Sequence, residues 1–77
     1  MIELTLYTRE GCHLCDELRR RLEPWLGSGR FRLVTRDVDS DPDWFQRFDT
    51  RVPVLMAGER HLCDYVLDED ALRALLR

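Results

Sequence analysis

The sequence contains no lysine: all twelve of its basic residues are arginine. There is no excess of positive charge either. The net charge is -3, and nucleic-acid binding needs a basic footprint that this chain lacks, so no nucleic-acid partner is expected. Long hydrophobic runs are missing, with nothing near the ~20 apolar residues that cross a bilayer, so no membrane is expected. The opening MIELTLYT lacks the basic flank and long apolar core of an export signal and reads as a strand. Cysteine is scarce and odd in number, three in 77 residues. A secreted disulfide scaffold would show an even set and an export signal. The cytoplasm is therefore expected, where a close cysteine pair is usually catalytic or metal-binding. No linker and no repeat beyond one tetrapeptide break the chain, so a single domain over 1–77 is expected. At 44% hydrophobic residues it is globular rather than disordered. A chain this short buries about 60–65% of its unfolded surface, which makes its stability marginal.

What is present is a regular alternation of periods. IELTLYT carries Ile2, Leu4, Leu6 and Tyr7 and predicts a buried strand. REG turns the chain. From Cys12 the period changes: Leu14, Leu18, Leu22 and Leu26 recur every four residues beside Cys15 and Trp25, an amphipathic helix with Arg19, Arg20 and Arg21 mostly on its wet side. Pro24 is expected to end or kink it, and GSG at 27–29 to form a loop. FRLVTRDVD reads as a second strand. Asp41, Pro42 and Asp43 give a helix-start signature, with Trp44, Phe45 and Phe48 as the apolar face of a short helix. VPVLMAG predicts a third strand, ERHLCDYV a fourth after a turn at Gly58–Glu59, and LDEDALRALLR a closing helix capped by Asp68, with Leu72, Leu75 and Leu76 inward. The first βαβ unit should be parallel and right-handed. The last two strands are joined tightly enough to require an antiparallel hairpin.

The tetrapeptide His-Leu-Cys-Asp occurs twice, as His13–Asp16 and His61–Asp64, and only the first copy follows another cysteine, Cys12. A C-x-x-C that follows a first strand and opens a helix is a thiol–disulfide redox signature. The spacing has a physical reason. One helical turn separates the sulfurs, so they can close a disulfide with little strain. The first cysteine sits where free N–H groups and the positive end of the helix dipole favour a thiolate. Cys12 is then the nucleophile and Cys15 the resolving thiol, with exchange through a mixed disulfide. A metal site and inert thiols are the alternatives. As imidazolium, His13 would help hold the Cys12 thiolate; otherwise it is a solvated first-turn residue. Arg9 suits a substrate carboxylate; otherwise it pairs with Glu10 or stays free. Tyr7 either borders the substrate or packs at the strand end.

Tyr7, Arg9, Cys12–Cys15 and Val52-Pro53 together resemble the glutaredoxins, and the element order matches their thioredoxin-like fold over the whole chain. GCHLCDE, DVDSDP and RVPVL look closer still to a branch of small bacterial glutaredoxin-like proteins. The resemblance implies an α/β fold of the βαβαββα type, a four-stranded mixed sheet with helices on both faces. It implies that Tyr7 and Arg9 flank a glutathione site, that Pro53 is cis, and that the backbone of Val52 pairs with substrate. Two departures stand out. Glutaredoxins carry Pro-Tyr between the cysteines, where this chain has His13-Leu14. They carry Gly-Gly where this chain has Cys63-Asp64, whose side chains would crowd glutathione.

His61 and Cys63 alternate by two, so both should point to one face of the fourth strand. With Cys12 and Cys15 they would make a Cys3His zinc set, but Cys15 is needed against the sheet. Cys63 reads best as a small, partly buried strand residue, with a third redox or regulatory thiol as the alternative, and the repeat as coincidence. The acidic run Asp37–Asp43 lacks the glycine and glutamate of a calcium loop. The expectation is a monomeric thiol–disulfide oxidoreductase with no bound cofactor and no metal. Its partner would be a disulfide-containing protein or low-molecular-weight thiol, with glutathione a possible reductant. The alternatives are a non-catalytic binding module of the same fold and a small zinc-stabilised domain.

Overall fold

The computed structural model describes residues 2–77. Strand β1 (Ile2–Thr8) leads into helix α1 (His13–Leu26), strand β2 (Phe31–Asp37), a short 3-10 turn (Val38–Ser40), helix α2 (Pro42–Phe48), strand β3 (Val54–Ala57), strand β4 (Arg60–Asp64) and helix α3 (Glu69–Leu75). The sheet order is β2-β1-β3-β4. β1 runs parallel to β2 and antiparallel to β3, and β3 and β4 form an antiparallel hairpin.

The alternation within β1 divides two cores. Leu4 and Leu6 join Leu55 from β3, Leu18 and Leu22 from α1, and Leu72 and Leu76 around α3 in one buried cluster. Tyr7 packs on the other face with Val54, Met56, Val38 and Phe48. Thus α1 and α3 cover one face of the sheet and α2 the other. Asp41 caps α2 by accepting from the amides of Asp43 and Trp44, and Asp68 caps α3 by accepting from Ala71.

Five expectations need correction. Pro24 does not end α1, which continues to Leu26. The proline removes one bond to the exposed Arg20 carbonyl, but Trp25 packs against the core and holds the last turn. The row Leu14–Leu26 is not all core: Leu18 and Leu22 are buried, while Leu14 and Leu26 are exposed. Each four-residue step overshoots a full turn by about 40°, so the ends of such a row swing out of the interface. Phe45 is likewise exposed, lying under the Arg9 guanidinium instead of against the sheet. Finally, β4 ends at Asp64 because Tyr65 takes a left-handed conformation, φ 66°. The second strand also stops early, at Asp37, where the chain coils into the 3-10 turn.

Candidate active site

The end of β1, the end of β2, the start of β3 and the end of β4 meet at one edge of the fold. Thr8 pairs with Asp37, Tyr7 with Val54, and Val54 with Asp64. The turn out of β1 is closed by the Cys12 amide donating to the Arg9 carbonyl at 3.2 Å. Gly11 occupies the third position of that turn at φ 75°, a conformation that glycine adopts without steric penalty. It delivers Cys12 to the N-cap of α1, where its sulfur accepts from the Cys15 amide at 3.1 Å. Cys12 and Cys15 are joined as a disulfide, with Cα atoms 5.2 Å apart. The two differ in access: Cys12 is partly exposed, and Cys15 is buried to 1% against the sheet. His13 and Leu14, between them, both face solvent.

Pro53 is fully buried, and the Val52–Pro53 peptide is cis. Its carbonyl accepts from the Tyr65 amide at 2.8 Å, which ties β4 to the approach of β3. Val52 is half-buried, and its own amide and carbonyl have no backbone partner among the described residues. Tyr7 is also half-buried. Its ring lies edge-on to Trp44, with centroids 5.7 Å apart, and 4.4 Å from that of Phe48. It packs against the aromatic face of α2.

Arg9 has partners that are far away in sequence. Its Nε and Nη2 donate to both carboxylate oxygens of Asp39, each at 3.0 Å. Nη2 also donates to Asp49 at 2.6 Å, and Nη1 to the Asp49 carbonyl at 3.2 Å. The hydrogen bonds that it donates to Asp39, and then to Asp49, push the guanidinium pKa upward, so it remains a cation throughout. Arg51 is engaged in the same manner: its Nε meets Asp64 at 3.0 Å and its Nη2 at 3.4 Å. His61 Nε2 lies 2.7 Å from Asp64 Oδ1, the oxygen that Arg51 Nη2 also reaches. Burial alone would raise the Asp64 pKa, but the bonds from His61 and Arg51 outweigh it and hold the group below the ordinary carboxylate value.

The Cys3His arrangement does not assemble. Cys63 pairs with Leu55 and His61 with Met56, so Leu62 is an extra residue in β4. This bulge reverses the expected alternation. Cys63 turns into the core while His61 faces solvent toward Asp64. Burial raises the Cys63 thiol pKa, opposed in part by a bond from the Asp68 backbone. Among the described residues no group of three or more His, Cys, Asp or Glu side chains is placed to hold a metal ion. No helix among them is long and apolar enough to cross a membrane.

Residues 3–77 match the family model described as glutaredoxin-like domain (DUF836). The chain belongs to this glutaredoxin-like family. A curated relative, the glutaredoxin-like protein YDR286C homolog of Dictyostelium discoideum, is 29% identical over 92% of this chain and 71% of its own length. Among solved structures, protein Ne2328 from Nitrosomonas europaea superposes with a TM-score of 0.88 at 36% identity, over 99% of this chain and 92% of that one. A buckwheat glutaredoxin–glutathione complex superposes with a TM-score of 0.57 at 16% identity, over 92% of this chain and 64% of that one, a likeness of fold alone. The glutaredoxin-like chain thus has the thioredoxin-type α/β architecture, with a cysteine pair of C-x-x-C spacing at the start of its first helix.

The sequence reading did not find Asp39, Asp49 and Asp64 as partners of the site arginines. Nothing local marks them: they lie 30, 40 and 13 residues from the arginines they hold. Only the fold brings them together.

Proposed function

We propose that this protein is a thiol–disulfide oxidoreductase in which Cys12 attacks and Cys15 resolves. The reduced Cys12 thiolate attacks one sulfur of a substrate disulfide R–S–S–R, forming a Cys12–S–S–R mixed disulfide and releasing one thiolate. Cys15 then attacks the Cys12 sulfur, closes the Cys12–Cys15 disulfide and releases the second thiolate. Two electrons pass to the substrate, and the two thiol protons end on the products. The reading rests on one observation above the others, the Cys15 amide aimed at the Cys12 sulfur from 3.1 Å. A hydrogen bond donated to sulfur, together with the N-terminal end of a 14-residue helix, favours the thiolate over the thiol. The difference in access fits the two roles, since the attacking sulfur must meet a partner and the resolving one must not. The unpartnered backbone of Val52 beside Pro53 offers a short strand pairing to a substrate segment.

The partners that suit this chemistry are a disulfide-bearing protein or a small thiol in the cytoplasm. Electrons would come from glutathione or a reductase, and no bound cofactor is required. The test is equilibration across glutathione redox buffers, followed by thiol trapping and intact mass. A Cys12–Cys15 disulfide that interconverts within the buffer range, and is lost in Cys12→Ser, is the expected result. Three thiols that stay free and alkylate slowly at every potential would overturn the proposal.

A further inference from the structure

The two arginines that border the junction of the Cys12 turn with the Val52–Pro53 segment are both occupied. The Arg9 carbonyl closes the Cys12 turn, and its guanidinium spans Asp39 and Asp49. Arg51 adjoins Val52 and is bound to Asp64 on two of its nitrogens. The local sum is not positive: Arg9 sets one cationic charge against two carboxylates, and Arg51 sets one against one. Glu10 and Asp16 add negative charge on either side of Cys12. Arg36 has no carboxylate partner among the described residues, but its guanidinium lies over the Trp44 ring, against α2. A carboxylated substrate arriving at Cys12 therefore meets arginines whose forks are already filled by groups held on the same chain.

We propose that the dithiol is selective for disulfides with uncharged or cationic flanks and works poorly on anionic ones such as glutathione disulfide. The ion pairs Arg51–Asp64 and Arg9–Asp39/Asp49 set this preference. The inference rests on the redox reading above and names its substrate class. Asp39, Asp49 and Asp64 are specificity determinants that act by holding the arginines away from substrate.

The experiment uses reduced full-length protein at low ionic strength. It compares second-order oxidation rates with glutathione disulfide (anionic), hydroxyethyl disulfide (neutral) and cystamine (cationic), each normalised to a simple dithiol. Wild type should favour cystamine and hydroxyethyl disulfide over glutathione disulfide. Asp64→Asn should raise the ratio of glutathione disulfide to hydroxyethyl disulfide rates by about two- to fivefold, the size expected for an exposed charge pair. The gain should fade at high salt. The double variant D39N/D49N, which frees Arg9, should move the ratio the same way. Removing both partners together, R51Q/D64N, should leave the ratio within about twofold of wild type, because the pair is neutral as a unit. Ratios unmoved in both D64N and D39N/D49N would overturn the inference, as would a several-fold fall in R51Q/D64N, which would make Arg51 an anion receptor. If hydroxyethyl disulfide still oxidises Cys12–Cys15 while the ratios stay fixed, the redox reading survives and only the selectivity falls. If none of the three reagents oxidises the pair, both fall.

Discussion

The Cys15 amide donates to the Cys12 sulfur at 3.1 Å, just as the amides of Asp43 and Ala71 donate to the capping carboxylates of Asp41 and Asp68. The proposed nucleophile is thus also a helix cap. Serine is among the best capping residues, so Cys12→Ser keeps the cap and removes the chemistry. Against reduced wild type, this variant should melt within about 2–4 °C, the equivalent of roughly half a kcal/mol in a domain this size. Its rate of disulfide reduction should fall at least about a hundredfold, for want of a thiolate. Cys15→Ser should instead stall with substrate attached through Cys12, seen as an added mass that dithiothreitol removes. A C15S protein that turns over at the wild-type rate would contradict the assigned roles.

Cys63 is chemically apart from the pair. It is 6% exposed, and burial holds its thiol pKa above the ordinary value, so at neutral pH it is a protonated thiol inside the core. With the protein reduced and folded, iodoacetamide should alkylate Cys12 completely while Cys63 stays unmodified, and denaturant should make Cys63 reactive. Peptide mapping after a timed quench reads this directly. Cys63→Ala should leave the Cys12–Cys15 redox midpoint where it is; a displaced midpoint would give Cys63 a redox role.

Helix α1 shows how far periodicity carries and where it stops. The pattern at Leu14, Leu18, Leu22 and Leu26 correctly announced a helix, yet only its middle lies in the core, because four residues and one turn are not the same interval. Leu22→Ala should cost about 2–5 kcal/mol, a large part of the roughly 4–12 kcal/mol a chain this long can hold. Leu14→Ala and Leu26→Ala should each stay within about 0.5 kcal/mol. Urea midpoints of the three variants decide it; equal losses at all three positions would mean the row is one buried face.

The element order, the caps at Asp41 and Asp68, and the dithiol at a helix start were legible because each is written in adjacent residues. The faces of β4 were not. An alternation rule places His61 and Cys63 together, and the one extra residue at Leu62 separates them. Nothing in RHLCD announces a bulge, since Leu62 and Cys63 are both residues that a core accepts. The ion pairs of Arg9 were hidden for another reason. Local sequence offers Glu10 as its partner, whereas the fold supplies Asp39 and Asp49 from the connection between β2 and β3.

The remaining prediction concerns acid. Asp64 has a depressed pKa in the folded protein, held down by His61 and Arg51 against the opposing effect of burial. In the unfolded chain it returns to about 3.8. A carboxylate whose folded pKa lies below its unfolded one contributes stability that is fully present above the unfolded value. That stability is lost as pH falls through the folded value. At neutral pH wild type should therefore melt above Asp64→Asn. The gap should hold down to about pH 5, begin to narrow near pH 4 and close below the folded pKa, because both proteins are then uncharged at this position. Thermal melts of the pair at matched ionic strength, from pH 7 to pH 3, measure the gap. A gap that stayed constant across that range would mean that the asparagine acts through packing, and that Arg51 and His61 gain nothing from the charge on Asp64.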